Sequence, residues 1–154
     1  MNLFEAIKKN NYLTNIIYIN ILLFTLINLY YVICFLFESE TQIITLLGLS
    51  SDINLLFKKP WTIITYMFTH EDLFHLLINI CWLYFGGKIF KNYLNNKALI
   101  STYIMGGIMG GLFYIIAFNL FPAFDSIKTS SLAIGASASV LAILCAAATH
   151  VPNF

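Results

Sequence analysis

The sequence has few charges, no arginine and no cysteine pattern, and each shortage excludes a class of protein. Charged residues make up 10% of the 154 residues, far below the roughly 25% of a soluble globular domain. All eight basic residues are lysines and the net charge is +1, so nothing indicates a nucleic-acid-binding surface. The three cysteines, Cys34, Cys81 and Cys145, show no CxxC spacing, which argues against a metal cluster.

Long apolar runs dominate the chain, which is 60% hydrophobic with a mean hydropathy of +0.83. A helix needs about 20 mostly apolar residues to cross a bilayer. Four segments approach that length, at residues 16–37, 73–90, 99–121 and 132–151. The sequence therefore predicts an all-α integral membrane protein with four transmembrane helices, in a single domain over residues 1–154.

The connection between the first two predicted spans is long and partly apolar. Its apolar pieces, residues 43–49 and 55–57, are interrupted by Gly48 and Asp52 and followed by Pro60. They are too short to cross a bilayer and too apolar for free solution, so we expect this loop to lie in the membrane interface.

The lysines are distributed unevenly around the predicted spans. Five of them precede the first span or lie between the second and third: Lys8, Lys9, Lys88, Lys91 and Lys97. The positive-inside rule then predicts a cytoplasmic N-terminus, and we expect a multi-pass protein of the bacterial inner membrane. The beginnings of the second and fourth spans share the outer face in this topology.

Hydrogen-bonding side chains stand at those two beginnings, where polar groups mark candidate functional sites. His75 and Asn79 are four residues apart and share a helix face, with His70 in the loop before them. Ser137 follows Gly135 and Ala136 at the other position. A serine beside preorganised donors suits acyl transfer. The alternative is that these side chains only bind neighbouring backbone carbonyls.

A metal site is the less favoured interpretation of the histidines. His70-Glu71 with His75 is one residue longer than the HExxH motif of zinc proteases, whose histidines lie at i and i+4. Positions i and i+5 are rotated roughly 140° apart on a helix, and no third ligand stands out. We therefore expect neither a metal nor a cofactor.

Small residues recur on the last two predicted spans. Two overlapping GxxxG spacings are followed by alanines at every fourth position: Gly106, Gly107, Gly110, Gly111, Ala138, Ala142 and Ala146. Such stripes let helix backbones approach closely. Whether they pack within one chain or between two copies stays open.

Three motifs together resemble the rhomboid family of intramembrane serine proteases. They are the histidines and asparagine at 70, 75 and 79, the run Trp82-Leu83-Tyr84-Phe85-Gly86-Gly87, and Gly135-Ala136-Ser137-Ala138. The resemblance extends from about Lys59 to the C-terminus. Ala138 replaces the second glycine of the family's GxSG, and alanine still permits close packing.

The resemblance implies a six-helix bundle that cleaves transmembrane proteins through an acyl-enzyme. Ser137 would be the nucleophile, while His75, Asn79 and the Ser137 backbone N–H would form the oxyanion hole. His70 and Gly135 would be supporting residues, with lipid as the surroundings and no nucleic acid as partner.

The resemblance also implies an activating histidine on a sixth span. We expect that histidine, and the last two core spans, to be absent from this chain, because the sequence contains only four predicted spans. His150 cannot replace it, because it lies 13 residues beyond Ser137, about 20 Å along a helix. The preferred function is an intramembrane serine endopeptidase whose activity requires this histidine, with the fragment alone inactive. The alternative is a non-catalytic rhomboid-like protein that binds transmembrane helices.

Overall fold

The first long helix is α1, Tyr12–Leu36, in a computed structural model that describes residues 11–150. The predicted cytoplasmic residues Lys8 and Lys9 lie outside this range. Asn20 is buried in the apolar helix, and its amide donates hydrogen bonds to the Ile16 carbonyl at 2.9 Å and the Tyr103 hydroxyl at 3.1 Å. Polar side chains of this kind join helices in a membrane.

The connection after α1 folds into short elements. They are α2 (Ile43–Leu47), β1 (Leu49–Ser50), α3 (Ile53–Lys58) and α4 (Thr62–Thr65), followed by a 3₁₀ turn at Tyr66–Phe68. The last three carbonyls of α2 accept hydrogen bonds, in order, from Lys59 Nζ at 2.9 Å, Trp61 Nε1 at 2.9 Å and Thr65 Oγ1 at 2.7 Å. The loop is therefore ordered, and its position in a membrane interface stays a prediction.

Two further long helices follow, α5 (Leu73–Tyr93) and α6 (Asn96–Leu120). Each begins at a side-chain cap, since Asp72 accepts from the Phe74 N–H at 2.7 Å and Asn95 from the Ala98 N–H at 2.8 Å; such caps satisfy the free donors of the first turn. Within residues 11–150, α1, α5 and α6 are the three helices long and apolar enough to cross a membrane. The all-α membrane fold class is confirmed.

The fourth predicted span differs from the prediction at its beginning. After a 3₁₀ turn at Pro122–Phe124, the chain forms β2 (Leu132–Ala133), and helix α7 (Ser137–His150) has 14 residues. β2 pairs antiparallel with β1, with Leu49 opposite Ala133 and Ser50 opposite Leu132.

The predicted fourth span starts at residue 132, but its helix begins at Ser137, because strand pairing takes up the first residues of that segment. A helix of 14 residues is about 21 Å long, shorter than the roughly 30 Å of a hydrocarbon core. A count of four full spans is not established, and the predicted end at Val151 lies outside the described residues.

Helix α7 packs against both α5 and α6, and the small residues make this possible. Gly106 faces the Ala142 methyl group and Gly110 faces that of Ala138, so closely that a Cβ on either glycine would collide with it. On the other side, Gly86 of α5 packs on Leu144, where an added Cβ would lie 2.6 Å from Cδ2. The glycine stripe of α6 thus packs within the chain.

Candidate active site

A cavity of about 420 Å³ lies between α5 and α7 and contains polar groups of both helices. His75 and Asn79 line it from α5, and Ser137 lines it from the first turn of α7. The remaining lining is apolar: Ile78, Trp82, Val140, Leu141 and Leu144. The structure therefore brings together the three residues that the sequence singled out, and their chemical roles stay predictions.

Ser137 is the first residue of α7, and its side chain is exposed. Its hydroxyl makes no hydrogen bond to any other residue of the described range, so the interpretation in which it binds a preceding carbonyl does not hold. The first N–H groups of a helix have no partner within the helix, and the helix dipole favours negative charge there. A developing oxyanion near this turn would meet free donors.

Asn79 is buried on α5, and its Nδ2 donates to the backbone carbonyl of His75 at 2.9 Å. The sequence alternative of a backbone contact is therefore observed for Asn79. A side-chain amide has two N–H donors, so this contact leaves the second one for a ligand in the cavity.

The ring of His75 is held between His70 and Gly135. Its centroid lies 5.1 Å from that of His70, with the rings in an edge-to-face arrangement. Gly135 has φ +106°, and a Cβ on it would lie 2.5 Å from His75 Cε1 and 2.6 Å from Nε2. Both the left-handed backbone and the contact with the imidazole require glycine at this position.

His70 is fully buried at 0% exposure, and its Nε2 accepts a hydrogen bond from the Ala136 N–H at 3.3 Å. An accepting Nε2 carries no proton, so the neutral ring is assigned the tautomer with its proton on Nδ1. That Nδ1 makes no hydrogen bond within 3.5 Å in the described part of the chain, while the nearby Phe68 carbonyl favours a protonated ring nitrogen. Burial and the neighbouring His75 lower the pKa of His70 to about 4, so the ring is neutral at pH 7.

The sequence did not predict the hydrogen bonds by which the 3₁₀ turn before α5 holds the neighbouring segments. The Tyr66 carbonyl accepts from the Gly135 N–H at 2.9 Å, and the Tyr66 hydroxyl donates to the Gly107 carbonyl at 2.5 Å. The Met67 carbonyl accepts from the Tyr103 hydroxyl at 3.2 Å, and the Met67 sulfur lies 3.8 Å from the buried Ser139 hydroxyl. No sequence pattern marks a backbone carbonyl that holds a distant loop.

Among the histidines of residues 11–150, His75 is the one that lines the cavity together with Ser137. His150 is at the other end of α7, about 20 Å away along the helix. Residues 11–150 also contain no group of three or more histidine, cysteine or carboxylate side chains that could hold a metal ion.

Fold and site define a multi-pass helical membrane protein with a free serine hydroxyl beside an imidazole and a side-chain amide. Residues 58–153 match the family model of the Rhomboid domain. Because this match covers more than half of the chain, the protein belongs to the rhomboid family.

A curated relative and the solved structures complete the comparison. The chain is 34% identical over 82 residues to a protein of Arabidopsis thaliana named "Inactive RHOMBOID-like protein 8". The aligned part covers 53% of this chain and 23% of that relative, so the chain spans less than a quarter of the relative's length. No solved structure matches significantly.

Proposed function

We propose that this rhomboid-family protein carries the nucleophile and the oxyanion hole of an intramembrane serine endopeptidase. The observation that carries the proposal is the free, exposed hydroxyl of Ser137 in a cavity that it shares with His75 and Asn79. By contrast, the Thr25 hydroxyl on α1 is satisfied within its own helix, where it donates to the Ile21 carbonyl at 2.8 Å.

The reaction begins with attack of Ser137 Oγ on the carbonyl carbon of the scissile peptide bond. The carbonyl oxygen becomes an oxyanion that accepts hydrogen bonds from the Ser137 N–H, the second Asn79 N–H and the His75 ring. Collapse of this intermediate breaks the C–N bond, the protonated amine leaves, and the acyl-enzyme remains on Ser137. Water then hydrolyses the ester and restores the hydroxyl.

A general base must take the serine proton and deliver it to the departing amine, and in the second step it must take a proton from water and return it to Ser137 Oγ. The resemblance to rhomboid proteases implies that this base is a histidine on a later span, outside the residues of this sequence; His75 is assigned here as a donor, and His150 is remote from Ser137. The activity of the whole protein therefore depends on that additional histidine, while residues 11–150 supply the nucleophile and the oxyanion donors.

The apolar lining of the cavity is suited to a substrate segment that lies in the membrane. Ile78, Trp82 and Leu141 are 58%, 55% and 60% exposed although they line the cavity. Large exposed apolar surface on a membrane protein faces lipid, so a substrate segment that arrives within the bilayer reaches Ser137 past apolar side chains. Membrane helices and lipid are the expected partners.

The test compares two serines of the same helix in the protein isolated intact from its own membrane. Ser137→Ala should abolish both cleavage of a transmembrane substrate and covalent labelling by a fluorophosphonate, measured by peptide mass spectrometry. Ser139→Ala is the matched control, because Ser139 is fully buried against Met67 and lies outside the cavity; it should keep both activities. Unchanged cleavage in Ser137→Ala would contradict the proposal.

A second function, binding of transmembrane helices without catalysis, is favoured by one observation. The Arabidopsis relative is named an inactive protein, so the family includes members described as lacking activity. This function predicts that Ser137 of the intact wild-type protein does not react with fluorophosphonates. The same labelling experiment therefore separates the two functions.

A further inference from the structure

The segment immediately before Ser137 is held by two consecutive backbone amides. The Gly135 N–H donates to the Tyr66 carbonyl at 2.9 Å, and the Ala136 N–H donates to His70 Nε2 at 3.3 Å. The first partner is an ordinary backbone carbonyl. The second is a side chain 66 residues away in the sequence, so this hydrogen bond depends on which side chain occupies position 70.

His70 is a polar side chain that is fully buried, and its acceptor nitrogen is hydrogen-bonded. Its exposure is 0%, and its Nδ1 makes no hydrogen bond within 3.5 Å in the range that the structure describes. An unpartnered buried polar atom is unfavourable, and an apolar ring would fill the same space without it. The imidazole supplies an acceptor for the Ala136 N–H, which an apolar ring would lack.

His70 also touches the other half of the site. Its ring packs edge-to-face on His75 at a centroid distance of 5.1 Å, and His75 in turn lies against Gly135. One side chain thus contacts both groups whose relative position matters: the backbone that leads into Ser137 and the imidazole across the cavity from it.

We propose that His70, as the Nδ1-protonated neutral imidazole, is a positioning residue that fixes the Gly135-Ala136 backbone and thereby aims the Ser137 hydroxyl and N–H at the cavity. The catalytic part of this inference rests on the proposed protease function, whereas the hydrogen bond itself does not. His70 acts through Ala136 and His75 and does not touch the substrate.

The matched variants are His70→Gln and His70→Phe. A glutamine side-chain oxygen can accept the Ala136 N–H, whereas phenylalanine fills the volume without an acceptor. In His70→Phe we expect hydrogen exchange at the Ala136 amide to accelerate by about fivefold, as expected for loss of one net hydrogen bond. His70→Gln should restore most of the protection, and protection of α5 and α6 should be similar in both variants.

Fluorophosphonate labelling of Ser137 in the intact protein supplies the second readout. We expect the labelling rate to fall in His70→Phe by about as much as exchange rises, and to recover in His70→Gln. Unchanged exchange at Ala136 in His70→Phe overturns the positioning role. Faster Ala136 exchange in a protein whose wild-type Ser137 never reacts would instead leave the positioning role standing and refute the protease proposal.

A measurement on the wild-type protein tests the inference without any variant. Nitrogen NMR of ¹⁵N-histidine-labelled protein at neutral pH should show His70 with an unprotonated Nε2, a protonated Nδ1 and a coupling across the hydrogen bond to the Ala136 N–H. A ring that carries its proton on Nε2 would overturn the proposal, because such a nitrogen cannot accept that bond.

Discussion

The imidazole of His75 lies directly against the backbone of Gly135, where an added Cβ would be 2.5 Å from Cε1. This contact joins α5, which carries His75 and Asn79, to the loop that leads into Ser137. The left-handed φ of +106° at Gly135 is a second reason for glycine at this position, because that backbone region is strained for any residue with a side chain.

Gly135→Ala should therefore displace His75 or the loop and abolish labelling of Ser137 by fluorophosphonates. The strained backbone alone costs roughly 1–3 kcal/mol, and the collision with the ring adds to it. Thermal unfolding in detergent and the labelling rate measure the two effects. Gly135→Ala protein that unfolds and labels like wild type would show that the contact with His75 has no effect on the site.

Asn79→Ala should lower cleavage by the intact protein by about 10²–10³-fold, the usual effect of losing one oxyanion donor. Asn28→Ala is the matched control, because Asn28 Nδ2 donates to the Phe24 carbonyl at 2.9 Å as Asn79 does to that of His75. Both variants lose the same backbone contact, and Asn28 does not line the cavity. Equal activities of the two variants would assign Asn79 a structural role.

Gly106→Ala should destabilise the protein by about 1–3 kcal/mol, the usual cost of overpacking, since its methyl group would collide with that of Ala142. Ala142→Gly in the same chain should relieve most of this cost. Thermal unfolding of both single variants and the double variant measures the coupling between the two residues. Purely additive effects would mean that these helices do not touch at this point.

The low pKa of His70 predicts a pH-dependent stability. The pKa falls from 6.5 to about 4 on folding, so the unfolded chain binds the extra proton first as the pH drops. The contribution of His70 to the free energy of unfolding has its full value above about pH 6.5. It decreases between about pH 6.5 and pH 4, by up to about 1.4 kcal/mol per pH unit. His75 is the titratable side chain that contacts it.

His70→Gln should weaken this dependence, because glutamine does not titrate. The experiment compares the unfolding midpoints of wild type and His70→Gln at pH 7 and pH 4.5 in the same detergent. We expect the wild type to lose more stability than the variant over this interval. Equal losses would mean that His70 titrates normally in the folded protein.

The membrane class, the three long helices and the positions of the motifs were predicted from the sequence alone. These properties are local: apolar runs of sufficient length form α1, α5 and α6, and capping residues such as Asp72 and Asn95 begin the last two. The four-residue spacing of His75 and Asn79 is local as well, and it is enough to put both side chains on one helix face.

Tertiary structure decided the features that depend on distant residues. Pairing of Leu49 with Ala133 shortened the last helix so that it begins at Ser137, and no local pattern marks that partner. The bond from Ala136 to His70 and the packing of Gly106 on Ala142 likewise join segments far apart in the chain. Hydropathy predicted which segments are helical, but only packing of the whole chain determined which backbone groups meet at Ser137.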